Sequence, residues 1–170
     1  MRLFIAIRLS RKVKYALIDA QNQMYDGGVR GSYSPEENLH LTLAFIGDYP
    51  DPEEVLDAME TVRFTSFEFQ LDGFGSFGET WWAGLENSAP LQAVVRRLRR
   101  ALSDHEIPFD RKSFRPHITL IRKARAEHGV PSAELKRASM QVEEISLMRS
   151  DRGKNGMIYT EVGKISADNQ

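Results

Sequence analysis

Two short stretches carry the side chains best suited to chemistry: Asn38-Leu39-His40-Leu41-Thr42-Leu43 and Arg115-Pro116-His117-Ile118-Thr119-Leu120. Each reads His-apolar-Thr-apolar. Successive side chains on a β-strand alternate between faces, so each histidine would share a face with its threonine while the apolar residues bury the other. The chain holds four histidines, and any one of them would match this pattern by chance roughly once in two hundred trials. Two matches are not a chance expectation.

Imidazole is the side chain whose ordinary pKa lies near neutrality, so two of them facing one cleft can act as general base and general acid together. That pairing suits in-line displacement at phosphorus. One imidazole takes a proton from the attacking water and the other gives a proton to the leaving oxygen. Each threonine hydroxyl can donate to a non-bridging phosphate oxygen, where charge must be stabilised. A metal centre is not expected, because zinc or iron sites need three or four ligands and no third histidine or carboxylate stands at ligand spacing near either motif. The chain has no cysteine, which removes thiolate chemistry and disulfides together, and no Gly-x-Ser-x-Gly elbow supports a serine nucleophile. No cofactor is implied. His105 and His128, beside Asp104, Glu106 and Glu127 in predicted loops, read as surface residues.

The formal net charge is -1, so an anionic ligand must be held by a local patch and not by the chain as a whole. Such a patch surrounds the second motif: Arg111, Lys112, Arg115, Arg122, Lys123 and Arg125 lie in a stretch with no acid between its ends. Arg115 and Arg122 are the candidate phosphate contacts nearest the motif, although strand alternation cannot point both to one face.

These residues need elements to position them. Leu3 to Leu9 reads as a buried strand, and Ser10 then caps a helix with Val13, Leu17, Ala20 and Met24 on one face, stopped by Asp26-Gly27-Gly28. Val29 to Tyr33 reads as a short strand, and Ser34 to Asn38 as the turn into the first His-Thr strand. That strand is expected over Leu39 to Ile46, with Leu39, Leu41, Leu43 and Phe45 on its core face. Asp51, followed by Pro52, Glu53 and Glu54, starts a helix to about Glu60.

Strands are expected over Phe64 to Leu71 and Thr80 to Leu85, joined by a Gly-rich loop from Asp72 to Gly78 that serves as a turn. Ser88 caps a third helix whose apolar stripe is Leu91, Val94, Val95, Leu98, Ala101 and Leu102, with Arg96, Arg97, Arg99 and Arg100 on a solvated basic face. The second His-Thr strand spans Arg115 to Arg122. Beyond it, Ser132 to Arg137 forms at most a short helix, and strands Gln141 to Met148 and Met157 to Ile165 flank an open loop from Ser150 to Gly156. The order strand, helix, loop, His-Thr strand occurs twice.

A chain of 170 residues suits one domain or two small lobes sharing a core. No apolar run approaches the roughly 20 residues that span a bilayer, and the first residues are too short an apolar segment for a secretory signal. Cytoplasmic residence, no membrane and a monomer are the simpler expectations.

The residues resemble the two-histidine (2H) phosphoesterases, and among them the RNA 2′,3′-cyclic phosphodiesterases, also called LigT-like or 2′-5′ RNA ligase-like proteins. The resemblance rests on Arg2-Leu3-Phe4-Ile5-Ala6-Ile7, on the run from Glu37 to Gly47, on the run from Phe114 to Arg122, and on a tail with Ser150, a Gly-containing loop and Tyr159. It implies an α+β fold, bilobal, with two antiparallel sheets related by a pseudo-twofold, flanking helices and a central cleft, all formed by residues 1–170 as one domain. It further implies metal-independent hydrolysis of RNA 2′,3′-cyclic phosphate ends to 2′-phosphomonoesters, with reversible 2′-5′ joining in some members. His40 would then be proton donor and His117 proton acceptor, with Thr42 and Thr119 on the phosphate and a terminal base against Phe4, Tyr33 or Trp82. Two alternatives compete: action on small cyclic nucleotides, and a non-catalytic module that binds RNA ends or nucleotides.

Overall fold

The computed structural model describes residues 1–168. Its elements follow the order β1 (Arg2–Arg8), α1 (Arg11–Asp26), β2 (Val29–Tyr33), β3 (His40–Asp48), α2 (Pro52–Glu60), β4 (Phe67–Phe77), β5 (Thr80–Leu85), α3 (Ala89–Asp104), β6 (His117–Ala126), β7 (Ser139–Val142), β8 (Glu144–Gly153) and β9 (Gly156–Ser166). The strands form two sheets, ordered β3-β1-β8-β9 and β2-β6-β5-β4-β7, and every pairing between these strands is antiparallel. This is the α+β, two-sheet architecture that the resemblance implies.

The repetition is visible in the topology. β3 returns beside β1 after α1, and β6 returns beside β5 after α3, so each His-Thr strand pairs with the strand that precedes its helix. The helices then cross over. α1 packs on β2, β6 and β7, while α3 packs on α2, β3 and β4. One continuous core results, drawn from both sheets and all three helices, so neither half buries its apolar surface alone. The stripe read on α3 is buried in full: Leu91, Val94, Val95, Leu98, Ala101 and Leu102. Ser10, Asp51 and Ser88 cap their helices through side-chain oxygens, as their residue types require.

Four expectations are corrected. The Gly-rich stretch 72–78 is not a loop; β4 runs through it to Phe77, and the hairpin turns at Gly78-Glu79. Gly75 admits a neighbour, since a Cβ there would collide with the Trp82 indole that leans across the strand, whereas Gly73 and Gly78 stand in open space at positive φ and serve the bend and the turn. Residues 132–137, read as at most a short helix, form none, which is within that reading. The run Gln141 to Met148 is two strands in different sheets, because the chain passes from β7 to β8 at Glu143. The segment Ser150 to Gly156 is paired through Gly153 and Gly156, leaving a two-residue turn in place of an open loop. The second His-Thr strand also starts at His117, after Pro116, and continues to Ala126, since a proline cannot donate to the ladder.

Candidate active site

Both motif histidines are held in the same way. His40 Nδ1–H donates to the Asn38 carbonyl at 2.7 Å, and His117 Nδ1–H donates to the Arg115 carbonyl at 2.6 Å. A carbonyl only accepts, so Nδ1 carries the hydrogen in each ring and Nε2 is left for chemistry. The two then differ. Thr42 Oγ1 lies 2.8 Å from His40 Nε2 and donates to it, whereas among the described residues His117 Nε2 has no hydrogen-bond partner. Asn38 is anchored in turn, because its side-chain amide donates to the Met157 carbonyl at 2.9 Å and ties the first motif to β9.

Aromatic rings fix each imidazole. His40 lies against Phe4 and Tyr159, with ring centroids 5.0 and 5.2 Å away, above a small apolar floor of Phe4, Ala6, Met148 and Tyr159. His117 lies against Phe77 and Trp82 at 5.0 and 5.8 Å.

A bulge on each His-Thr strand changes which later residue faces the histidine. On β3, Leu43 has no partner in the ladder, since Ala6 pairs with Thr42 and Ile5 with Ala44. Alternation therefore slips by one. Phe45 moves from its expected core position to the cleft face, where it is 38% exposed, while Ala44 and Ile46 are buried. On β6, Leu120 is the extra residue, since Trp82 pairs with Thr119 and Trp81 with Ile121. Arg122 is thereby turned toward the same side as His117 and Thr119. Phe45 and Arg122 each stand five residues after their histidine.

Each bulge is secured from the helix of the opposite half. Gln21 of α1, a buried polar residue, donates through Nε2 to the Leu120 carbonyl at 3.0 Å and the Ser34 carbonyl at 2.9 Å. Arg99 of α3 donates to the Leu43 carbonyl at 3.3 Å and the Lys112 carbonyl at 2.6 Å, with its guanidinium above Phe109 and Phe114. Arg99 is thus a structural tie and not part of a solvated face, and partial burial lowers its pKa.

The two sheets enclose a cleft of about 800 Å³ lined by His40, Thr42, His117, Thr119, Arg122, Phe4 and Tyr33. Arg115 does not line it; its exposed side chain lies outside, with the guanidinium 5.5 Å over the Phe77 ring. Phe4 is only 4% exposed and serves as packing under His40. Tyr33 presents its ring while its hydroxyl donates to the Val29 carbonyl at 2.7 Å. Trp82 backs His117 and does not reach the cleft.

Arg2, Phe45, Ser150, Arg152 and Tyr159 also line the space. Ser150 and Tyr159 were marked by the resemblance alone. Arg2 and Phe45 lie in runs that the resemblance quotes, but that they face the cleft, like Arg152, follows only from the strand registers. Arg2, Arg122 and Arg152 face the cleft, and among the described residues no Asp or Glu does, so a nearly neutral chain carries a locally cationic site. Among the described residues no three His, Cys, Asp or Glu side chains cluster as metal ligands. Burial pushes the His40 pKa down; the Asn38 carbonyl opposes this, and the positive charges of Arg122 and His117 add to it.

Two sheets that each present a His-x-Thr strand to one shared cationic cleft define the class of two-histidine phosphoesterases. The chain belongs to the 2′-5′ RNA ligase superfamily, whose family model matches residues 20–154. An RNA 2′,3′-cyclic phosphodiesterase of Thermotoga maritima is 36% identical over 130 residues, covering 71% of this chain and 68% of that protein. One from Thermus thermophilus is 33% identical over 98% of this chain and 90% of its own length. Among solved structures, E. coli LigT complexed with 3′-AMP superposes with a TM-score of 0.84 at 25% identity, covering 99% of this chain and 98% of that one.

Proposed function

We propose that this protein hydrolyses RNA 2′,3′-cyclic phosphate ends to 2′-phosphomonoesters, with residues 1–170 acting as one bilobal unit. The observation that carries the reading is the pair of imidazoles, each with a threonine beside it, lining one cleft that bears three arginines and no carboxylate. Relatives named for this activity, at 36% and 33% identity, support it.

In the reaction His117 Nε2, free to accept, takes a proton from water as the oxygen attacks phosphorus opposite the 3′ oxygen. The P–O3′ bond breaks, and protonated His40 supplies the hydrogen that O3′ needs as it leaves. His40 rests in its neutral form with Nε2 accepting from Thr42. An incoming phosphate anion offsets the Arg122 charge that disfavours its protonation, and protonation of Nε2 frees the Thr42 hydroxyl to turn to a phosphate oxygen. Thr119 and Arg122 serve the other non-bridging oxygen, and the terminal sugar and base occupy the space between Tyr33 and Phe45. An RNA 5′-hydroxyl in place of water would join two ends 2′-5′ by the same displacement.

The test is to incubate the protein in EDTA with a labelled oligonucleotide ending in a 2′,3′-cyclic phosphate and to resolve the products. The expected outcome is a 2′-phosphate end, with activity lowered at least about 100-fold in His40→Ala and in His117→Ala and about 10-fold or more in Thr119→Val. Full activity in either histidine variant would overturn the mechanism. Binding of the RNA without product would favour the non-catalytic module.

A further inference from the structure

Phe77 is 39% exposed at the tip of the β4–β5 hairpin. It is not loose. Its centroid lies 5.1 Å from that of Trp82 and 5.0 Å from that of His117. Trp82 is held against the strand in turn, because Gly75 beneath it has no Cβ to push it away. Arg115 then sets its guanidinium 5.5 Å over the ring. A rigid aromatic face with a cation above it, next to one of the two imidazoles but outside the cleft, matches how proteins hold successive bases of a single strand.

The other sheet carries a similar pair inside the cleft. Phe45 is 38% exposed and Arg2 lies 5.5 Å over its ring. The occupant outside the cleft is chosen by charge: Arg115 stands over the ring, and Lys123 lies on β6 beside the hairpin turn, where the Ala124 amide donates to the Glu79 carbonyl at 2.9 Å, which fits a phosphodiester backbone leading away from the site. From these features, and resting on the cyclic-phosphate reading above, we infer that Phe77 and Arg115 form a stacking platform for the nucleotide that precedes the cyclic-phosphate-bearing one. The preferred substrate is accordingly an RNA end of at least two nucleotides and not a free cyclic mononucleotide.

The experiment compares adenosine 2′,3′-cyclic phosphate with the dinucleotide ApA ending in a 2′,3′-cyclic phosphate. The wild-type chain is expected to favour the dinucleotide in kcat/KM by about tenfold or more, mainly through KM. Phe77→Ala should bring that ratio close to one and Phe77→Trp should keep it. Arg115→Gln, a change at an exposed side chain, should lower the ratio severalfold. Equal loss on both substrates in Phe77→Ala would make the ring a mere support for His117 and overturn the platform, as would a wild-type ratio of one. Turnover of neither substrate would overturn the cyclic-phosphate reading itself.

Discussion

Burial and the nearby Arg122 and His117 charges hold His40 toward its neutral form, and this has two consequences with definite signs. Protonation of the His40 ring in the free protein, followed by NMR, is therefore expected at a lower pH than the ordinary histidine value of about 6.5. Arg122→Gln removes one cause of the lowering and should move that midpoint to higher pH, while cutting kcat/KM by about tenfold or more through the lost phosphate contact. A midpoint that stays in place would deny that Arg122 acts on His40. For stability, the unfolded imidazole takes up a proton near pH 6.5 and the folded one only at lower pH. The neutral-state contribution is therefore complete above about pH 6.5 and is lost as pH falls toward the folded value. At this scale residue types alone pair His40 with Thr42 and His117 with Thr119, because the i, i+2 relation on a strand is local. They do not place Arg115, which lies before the strand begins and outside the cleft.

At the scale of elements, the site depends on two bulges and on the helix that secures each. Alternation alone placed Phe45 in the core and Arg122 opposite His117; one extra residue on each strand reverses both. Gln21→Leu tests the tie on β6. It leaves the Ser34 carbonyl without its donor and removes one of two donors from the Leu120 carbonyl, which also accepts from the Ser34 amide at 2.9 Å. The expected cost is about 1–3 kcal/mol of stability in urea unfolding, together with a fall in kcat/KM as Arg122 is released. Unchanged stability and activity would show that the bulge holds itself. Helical periodicity made α3 legible to the residue, because its six buried positions follow from 3.6-residue spacing alone. The Gly-rich part of β4 was not legible. Glycine marks turns by its backbone freedom, as Gly78 does here, but Gly75 marks the space needed by Trp82, a neighbour on another strand.

For the molecule as a whole, a net charge of -1 gives no hint of an anion site, yet three arginines converge on the cleft without an acid. Association with RNA should therefore fall with salt. KM for a cyclic-phosphate-ended oligonucleotide is expected to rise between about 50 and 200 mM salt, and Arg152→Gln should flatten that dependence because one phosphate contact fewer releases one counterion fewer. A salt-independent KM would contradict an electrostatic cleft. None of the described helices is long and apolar enough to cross a membrane.

The paired motif was legible in the chain by itself: two His-x-Thr units, each preceded by a strand and an amphipathic helix, need only local periodicity to be recognised. Tertiary structure decided the rest. Which face Phe45 and Arg122 occupy follows from ladder registers with β1 and β5. The supports of those registers, Gln21 and Arg99, come from helices of the opposite half, about a hundred residues away in one case and fifty-six in the other. A bulge is stable only where the carbonyl it frees finds a donor, and no pattern within one strand reveals whether a distant helix will supply it.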